Sequence, residues 1–224
     1  MCLANSRKHG GRCIAGIERR EGKWIRPVSS RDGEAVSESE RRYASGAEPR
    51  VLDIISMRLI EHRPDGFQCE NWLVDPTIRW RRNGRIGWDD LYSLEQHPAI
   101  LWHNGNSSSG GINDQVPAAQ QKAVMGSLEL IRVDAVDIRV DRAYPQAGNQ
   151  KFDVRAHFRY AGSLYALKVT DPIYEEKYRE MGLGRYGLTE SFLTISLGKE
   201  FNGHLYKLVA AIIERAEVES GGRL

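Results

Sequence analysis

Polar and apolar residues alternate along several short segments of the chain, most regularly over Phe152–Tyr160. Every second position in that segment is Phe, Val, Ala, Phe or Tyr. Asp153, Arg155, His157 and Arg159 occupy the positions between them. A period of two places the two sets on opposite sides of an extended backbone, so this segment predicts a half-buried β-strand.

Shorter segments rich in β-branched and aromatic residues recur on both sides of it and are bounded by Gly, Pro, Asn and Asp. The further predicted strands are 1–5, 13–18, 24–28, 51–62, 67–73, 127–133, 135–140, 164–169, 192–197 and 206–214. Helical spacing predicts short helices at 34–42, 88–94 and 172–181, the last beginning with Pro172. The first two strands flank a Gly10-Gly11 turn and therefore predict a hairpin.

The distribution of residue types predicts two structural units. All five tryptophans lie in the first half of the chain, whereas the more regular strand patterns lie in the second half. A Gly/Ser/Asn-rich loop at 104–114 separates them, either as a linker or as a phosphate cradle. We therefore expect an N-terminal OB-like domain at 1–115, with inserted loops and a helix, and a C-terminal OB-like domain at 125–216. The predicted fold class is mainly β with short helices, in two tandem OB-like small β-barrels. An SH3-like barrel fits the same strand pattern.

Positive charge is concentrated at the beginning of the chain. Residues 1–31 contain eight Lys and Arg residues against two Glu residues, although the formal net charge of the whole chain is only +2. A cationic turn on a β scaffold attracts the phosphate backbone of any nucleic acid. A solvated hairpin explains the same charges equally well.

The first candidate phosphate site is this N-terminal turn with its neighbouring strand. Asn5, Ser6, Lys8 and Arg12 supply hydrogen-bond donors from one turn, and Arg26 is supplied by the strand beside it. Period-two alternation places Trp24 on the same face as Arg26, where an indole ring can stack on a base. The alternative for Trp24 is a core position, which Arg26 would then share.

Two further sets of residues are candidates. One interleaves an aromatic residue with arginines and consists of Arg79, Trp80, Arg81, Arg82 and Arg85. Such a composition favours cation–π and stacking contacts with nucleic acid, and an exposed turn is the alternative. The other is a possible second, polar pocket formed by Lys168, Thr170, Asp171, Arg185, Tyr186 and Ser196. Capping of the following helix by Thr170 or Asp171 is enough to explain those two residues.

No pattern in the chain indicates catalysis or a cofactor. Cys2, Cys13 and Cys69 fit no zinc spacing and are expected to be free thiols, and the six histidines show no metal-binding spacing. No nucleophile motif and no phosphate-binding glycine fingerprint occurs. The expectation is a protein that is not an enzyme and has no catalytic residue, metal or cofactor. With neither a long apolar segment nor a signal sequence, we expect a cytoplasmic protein without a membrane partner.

Five segments resemble the bacterial dual OB-fold-containing family: CLANSRKHGGRCIAGIE, GKWIRPVSSR, LKVTDP, LTISLG and YKLVAAII. The resemblance extends from about residue 2 to residue 213. It implies two tandem OB-like barrels that bind nucleic acid or nucleotides, in a family associated with prokaryotic antiviral and conflict systems. It implies no catalytic residue.

The favoured function is therefore a non-enzymatic binding module for nucleic acid, single-stranded or structured, or for a nucleotide. One alternative is a protein-interaction subunit that docks a partner effector protein. Another is an uncharacterised hydrolase or nuclease.

Overall fold

The computed structural model describes residues 1–8, 11–31, 35–142 and 152–222, with only the backbone of residue 8. Its strands are β1 Cys2–Lys8, β2 Gly11–Ile17, β3 Trp24–Val28, β4 Asp53–Ser56, β5 Leu59–His62, β6 Asn71–Val74, β7 Arg81–Arg85, β8 Gln115–Pro117, β9 Leu128–Val133, β10 Val136–Arg142, β11 Phe152–Tyr160, β12 Ser163–Val169, β13 Gly184–Leu188, β14 Ser191–Phe201 and β15 His204–Glu214. Its α-helices are α1 Glu38–Arg41, α2 Trp88–Tyr92, α3 Pro172–Met181 and α4 Arg215–Glu219, with a 3₁₀ helix at Ala118–Ala123.

The N-terminal sheet has five strands in the order β1-β2-β3-β6-β5. The predicted hairpin is confirmed, because β1 and β2 pair antiparallel across the turn. β3 has the predicted bounds, Trp24–Val28, and pairs antiparallel with β2. On its other side β3 pairs in parallel with β6, which places Arg26 opposite Asn71 and Pro27 opposite Trp72.

A two-stranded ribbon of β4 and β7 corrects two predictions. The expected single strand at 51–62 is wrong, because the chain leaves β4 after Ser56 and begins β5 at Leu59. β4 pairs with β7, whereas β5 pairs with β6 in the five-stranded sheet. The alternative considered for residues 79–85, an exposed turn, is also wrong, because Arg81–Arg85 forms β7. The apolar segment 51–62 is continuous in the sequence, but its two halves form separate strands because they pair with different parts of the chain.

The C-terminal sheet has the strand order β13-β10-β11-β12-β15-β14-β9, with β8 paired to β15. The predictions for β11 and α3 are confirmed with the same bounds. Asp171 caps α3 by accepting hydrogen bonds from the amides of Ile173 and Tyr174. β13 was not predicted, since its two glycines remove the alternation that marks an exposed edge strand.

The architecture is mainly β with a few short helices, in several sheets consistent with two OB-like domains, as predicted. The structure differs from the predicted small β-barrels in one respect: among the described residues no sheet closes into a barrel. No helix in the described part of the chain has the length and apolar character needed to cross a bilayer.

Two hydrophobic cores lie on opposite faces of the N-terminal sheet. On the inner face, Leu3, Ala15 and Ile17 belong to a large core shared with the C-terminal sheet. On the outer face, a smaller core joins the sheet to the β4–β7 ribbon; its buried members are Cys2, Ile14, Val36, Tyr43, Val74 and Trp80. The sheet is therefore covered on one side by the C-terminal unit and on the other by the ribbon.

Candidate functional site

Arg26 lies on the inner face of the N-terminal sheet and is only 3% exposed. Its guanidinium forms an ion pair with Glu70 at 3.0 Å and donates to Ser127 Oγ at 2.8 Å and to Asn71 Oδ1 at 3.3 Å. Ser127 also donates to the Glu70 carboxylate. The expectation that Arg26 contacts phosphate at the surface is wrong, because these partners bury it between the two units.

Trp24 lies on the same face as Arg26, as the alternation predicted. Its ring packs against the large core, and its Nε1 donates to Gln96 Oε1 at 2.8 Å. The two residues therefore share one environment, and that environment is the packed inner face. Trp24 is partly exposed there, with its ring and its N–H both engaged within the protein.

The N-terminal turn is anchored to its surroundings by its own donors. Asn5 Nδ2 donates to the carbonyl of Pro49 at 2.8 Å, and buried Ser6 donates to the carbonyl of Cys13 at 3.3 Å. The donor groups of both side chains are engaged within the protein, so neither is free to donate to a ligand as expected. Asn5 Oδ1 is buried without a hydrogen-bond partner among the described residues. The side chain of Lys8 lies outside the described residues.

Charges from the C-terminal unit approach the same turn. Arg7 forms ion pairs with Glu175 at 3.2 Å and with Glu176 at 2.7 Å, both on α3. Arg12 is half-buried, and its pKa is lowered by burial and by the neighbouring cation of Arg41. Its Nη1 is buried without a hydrogen-bond partner among the described residues. The turn therefore forms part of the contact between the two units.

In the second predicted set, the tryptophan is buried beneath the ribbon and the four arginines are exposed on its surface. Trp80 is fully buried in the smaller core, so its predicted stacking role is wrong. Arg79, Arg81, Arg82 and Arg85 are exposed. Because Trp80 fixes one side of the segment to the core, the arginines are displayed on the other side.

The third predicted set does not come together as a pocket. Arg185 and Tyr186 lie on β13 at one edge of the C-terminal sheet, whereas Ser196 lies on β14, five strands away in the sheet order. Tyr186 donates its hydroxyl proton to the carbonyl of Gly182 at 3.0 Å. The predicted pocket is wrong, because Tyr186 and Ser196 lie on strands that are far apart in the sheet.

The remaining members of that set have structural contacts. Asp171 is buried, and in addition to capping α3 it accepts a bond from the amide of Ile212 at 3.1 Å. Burial raises the pKa of Asp171 to about 6. Thr170 Oγ1 donates to the carbonyl of Val209 at 3.2 Å, and exposed Lys168 lies 3.7 Å from Asp153. The capping interpretation is thus confirmed for Asp171.

A concavity with an apolar floor lies between the outer face of the N-terminal sheet and the ribbon. This cavity of about 630 Å³ has Glu18, Arg19 and Arg20 at its rim and the polar side chains of Ser56 and Asn83 on the ribbon side. Its floor residues include Ile14, Gly16, Ile25, Pro27, Ile54, Met57 and Leu59. Gly16 is required in this floor, because a Cβ there would lie 2.0 Å from the carbonyl oxygen of Met1.

Two more cavities border the same ribbon and share residues with the first. One of about 530 Å³ shares Ser56 and Met57 and adds Arg58, Arg79 and Arg81. The other, of about 740 Å³, shares Asn83 and Arg81. Its further charged lining residues are Glu48, Arg50, Asp53 and Arg82. We call the three cavities together the ribbon groove.

The ribbon groove carries an excess of unpaired positive charge. Arg82 lies 3.3 Å from Asp53, and Arg58 lies 3.6 Å from Asp75. By contrast, Arg19, Arg20, Arg50 and Arg81 form no ion pair with any described carboxylate; exposed guanidinium groups without carboxylate partners are available to an anion.

An aromatic pair extends the outer face beyond the cavities. Trp72 faces Pro27 across β3 and β6, and His62 faces Trp72 across β5 and β6, so all three lie on one face of the sheet. The rings of His62 and Trp72 are 4.9 Å apart and inclined by 37°. His62 is exposed and Trp72 is partly exposed.

Sequence reasoning missed Trp72, His62 and the rim residues Arg19 and Arg20 as parts of a site. The useful signal was present in β3, where Ile25 and Pro27 alternate with Trp24 and Arg26. That alternation identifies two faces of the strand. The groove lies on the face of Ile25 and Pro27, not on the face of Trp24 and Arg26.

Comparison with known proteins gives one match. A family model described as "Dual OB-containing domain" matches residues 1–212. No curated protein and no solved structure matches the chain.

Proposed function

Because the chain belongs to the dual OB-containing domain family, we propose that it is a non-catalytic module that binds single-stranded nucleic acid in the ribbon groove. Membership of this family supports an OB-fold binding module. The observation that carries the proposal is the combination of an apolar floor with unpaired arginines around one ribbon.

The arginines account for affinity to a phosphate backbone. Arg19 and Arg20 lie at one end of the groove, and Arg50 and Arg81 lie at the other. Their planar guanidinium groups match phosphate oxygens in a bidentate geometry. Phosphate contacts of this kind give affinity that is independent of base sequence and falls with salt.

The apolar floor and the aromatic pair favour a single strand over a duplex. A single strand exposes the faces of its bases, which can lie against the partly exposed Ile25, Ile54 and Met57 or stack beside Trp72. In a duplex the same base faces are stacked on one another. We therefore expect duplex DNA to compete poorly for the groove.

Carboxylates in the groove are held by neighbouring residues, which supports binding without catalysis. Asp53 accepts hydrogen bonds from the hydroxyl of Tyr43 at 2.9 Å and from the amide of Arg50 at 3.0 Å, and it faces Arg82. Burial and the Asp53 carboxylate raise the pKa of Tyr43. Glu48 is paired with Arg41 at 2.9 Å. We expect bound strands to remain intact in the presence of Mg²⁺.

The biological setting that we propose is a cytoplasmic protein of a bacterial antiviral or conflict system, and the support for it is the resemblance to the family. Deletion of the gene from a strain that carries it should then lower resistance to phage infection. Complementation with the Arg20→Ala/Arg81→Ala double variant should fail to restore resistance.

The direct test is fluorescence anisotropy with a labelled dT12 strand across a range of salt concentrations. For the unmodified protein, the logarithm of the association constant should fall linearly with the logarithm of salt concentration. The Arg20→Ala/Arg81→Ala variant should reduce that slope by about 1.4, since each phosphate contact to a single strand contributes about 0.7. Arg185→Ala, an exposed arginine on β13, is the matched control and should leave the slope unchanged.

Absence of dT12 binding by the unmodified protein would contradict the proposal. So would a salt slope that the double variant leaves intact. A duplex that competes as strongly as dT12 would show that base faces are not used.

A further inference from the structure

The β4–β7 ribbon contains a bulge at its centre. Ile54 faces Gly84 and Ile55 faces Arg82, so Asn83 has no partner on β4. Gly84 has a φ of +152°, a backbone conformation that favours glycine. Bulges of this kind turn the side chain of the extra residue away from the regular pleat and are common beside functional sites.

The bulge places Asn83 on the boundary between two cavities of the ribbon groove. It lines both the 630 Å³ cavity and the 740 Å³ cavity. Among the described residues that line the three cavities, Asn83 alone carries an amide group. It is therefore positioned beside the apolar floor on one side and the arginines on the other.

A neighbouring hydroxyl fixes the orientation of this amide. Asn83 Nδ2 donates to Ser56 Oγ at 2.5 Å, which engages one of its two N–H groups. The second N–H and Oδ1 stay available on an exposed side chain. An adjacent donor and acceptor can form two hydrogen bonds with a base edge, whereas guanidinium groups only donate and suit phosphates.

We propose that Asn83 is the specificity-determining residue of the groove and contacts the edge of an adenine base. This inference rests on the proposed binding of single strands. The N6 amino group of adenine donates and its N7 accepts, which matches the free Oδ1 and N–H of the amide. The arginines supply affinity for any strand, and Asn83 adds a preference among strands.

The experiment compares dT12 with the same strand carrying three central adenines, at one salt concentration. The unmodified protein should prefer the adenine-containing strand by at least about five-fold, which corresponds to about 1 kcal/mol. Asn83→Ala should abolish the preference, so that the variant binds the two strands with equal affinity. Gln120→Ala removes an exposed amide remote from the groove and should preserve the preference.

A change in the ligand tests the same contact without altering the protein. Replacing the three adenines by 7-deazaadenine exchanges the N7 acceptor for a C–H group. The preference of the unmodified protein should then disappear. Persistence of the preference with 7-deazaadenine, or in Asn83→Ala, would overturn the inference.

The outcomes separate this inference from the proposal on which it rests. If the unmodified protein binds neither strand, the proposed function fails. If it binds both strands equally with the expected salt dependence, the proposed function stands and the role of Asn83 is refuted.

Discussion

The two faces of strand β3 show how adjacent residues acquire opposite roles. Trp24 and Arg26 point towards the C-terminal unit, where one packs in the large core and the other is paired with Glu70. Ile25 and Pro27 point the other way and line the ribbon groove. The residues with the stronger chemical signature are structural, whereas the less conspicuous residues form the floor of the candidate site.

The two faces differ in whether their arginines are paired with carboxylates. On the inner face a carboxylate accompanies Arg26, as burial of a charge requires. On the outer face Arg20 and Arg81 are exposed and have no ion pair with a described carboxylate. A cluster of positive charge in a sequence therefore does not by itself identify an anion site. The positions of the carboxylates in the structure determine which of these cations are available to an anion.

Replacing Arg26 should have the largest effect on the inner face. Arg26→Ala leaves Glu70 buried without its cation, which should lower the free energy of unfolding by about 3–5 kcal/mol. Urea denaturation followed by far-UV circular dichroism measures the loss. Arg20→Ala is the control and should change stability by less than about 0.5 kcal/mol. A loss below about 1 kcal/mol for Arg26→Ala would contradict the stabilising role of the buried Arg26–Glu70 pair.

Replacing one tryptophan on each face by alanine should show that one face contributes to stability and the other to binding. Trp24→Ala removes a ring packed in the core and should cost about 3 kcal/mol of stability. Trp72→Ala removes the partly exposed platform and should weaken dT12 binding by about five-fold or more, since stacking contributes about 1–3 kcal/mol per base. Urea denaturation and anisotropy on both variants provide the measurements. Weaker binding by a folded Trp24→Ala, with Trp72→Ala unaffected, would reverse the assignment of the faces.

A second buried cation sharpens the comparison because it forms no ion pair with a carboxylate of the described residues. Lys207 is 1% exposed, and its ammonium group donates to the carbonyl of His103 and to Asn104 Oδ1. No described carboxylate lies within ion-pair distance of it, and burial lowers its pKa to about 7. The Nζ of Lys207 also lies 5.3 Å from the centroid of the Tyr165 ring. A cation stabilised only by carbonyl oxygens and an aromatic ring is more easily deprotonated than one that is paired with a carboxylate.

That difference predicts the pH dependence of stability. Between about pH 7 and the pKa of an unfolded lysine near 10.5, the unfolded chain binds more protons than the folded chain at Lys207. Stability should therefore rise by about 1–2 kcal/mol over that window, after allowance for solvent relaxation. Lys207→Met should flatten the rise, measured by urea denaturation at pH 6.5, 8 and 9.5. An identical pH dependence in wild type and Lys207→Met would contradict this account.

Local patterns were sufficient for elements whose own residues determine their structure. The alternation in Phe152–Tyr160 predicted β11, and Asp171 with Pro172 predicted the start of α3. The run at 51–62 was misassigned because the sequence does not show that β4 and β5 have different partners. β13 was missed because its glycines lack side chains that would mark a pleat.

The candidate site was less predictable than the fold, for a related reason. Alternation established that Trp24 and Arg26 share a face, but not which face meets solvent. That depends on Ser127 and Glu70, which are distant in the sequence. The bulge at Asn83 likewise depends on pairing with β4 and leaves no pattern within β7 itself.

Photo-crosslinking to a dT12 strand carrying 4-thiothymidine, followed by mass spectrometry, tests the central claim most directly. The account predicts crosslinked peptides from the ribbon and the outer face, including Met57, Trp72 and residues 81–85. The Arg20→Ala/Arg81→Ala variant should lose these crosslinks. Crosslinks confined to the N-terminal turn at Asn5–Arg12 or to the C-terminal sheet, with the ribbon unlabelled, would contradict it.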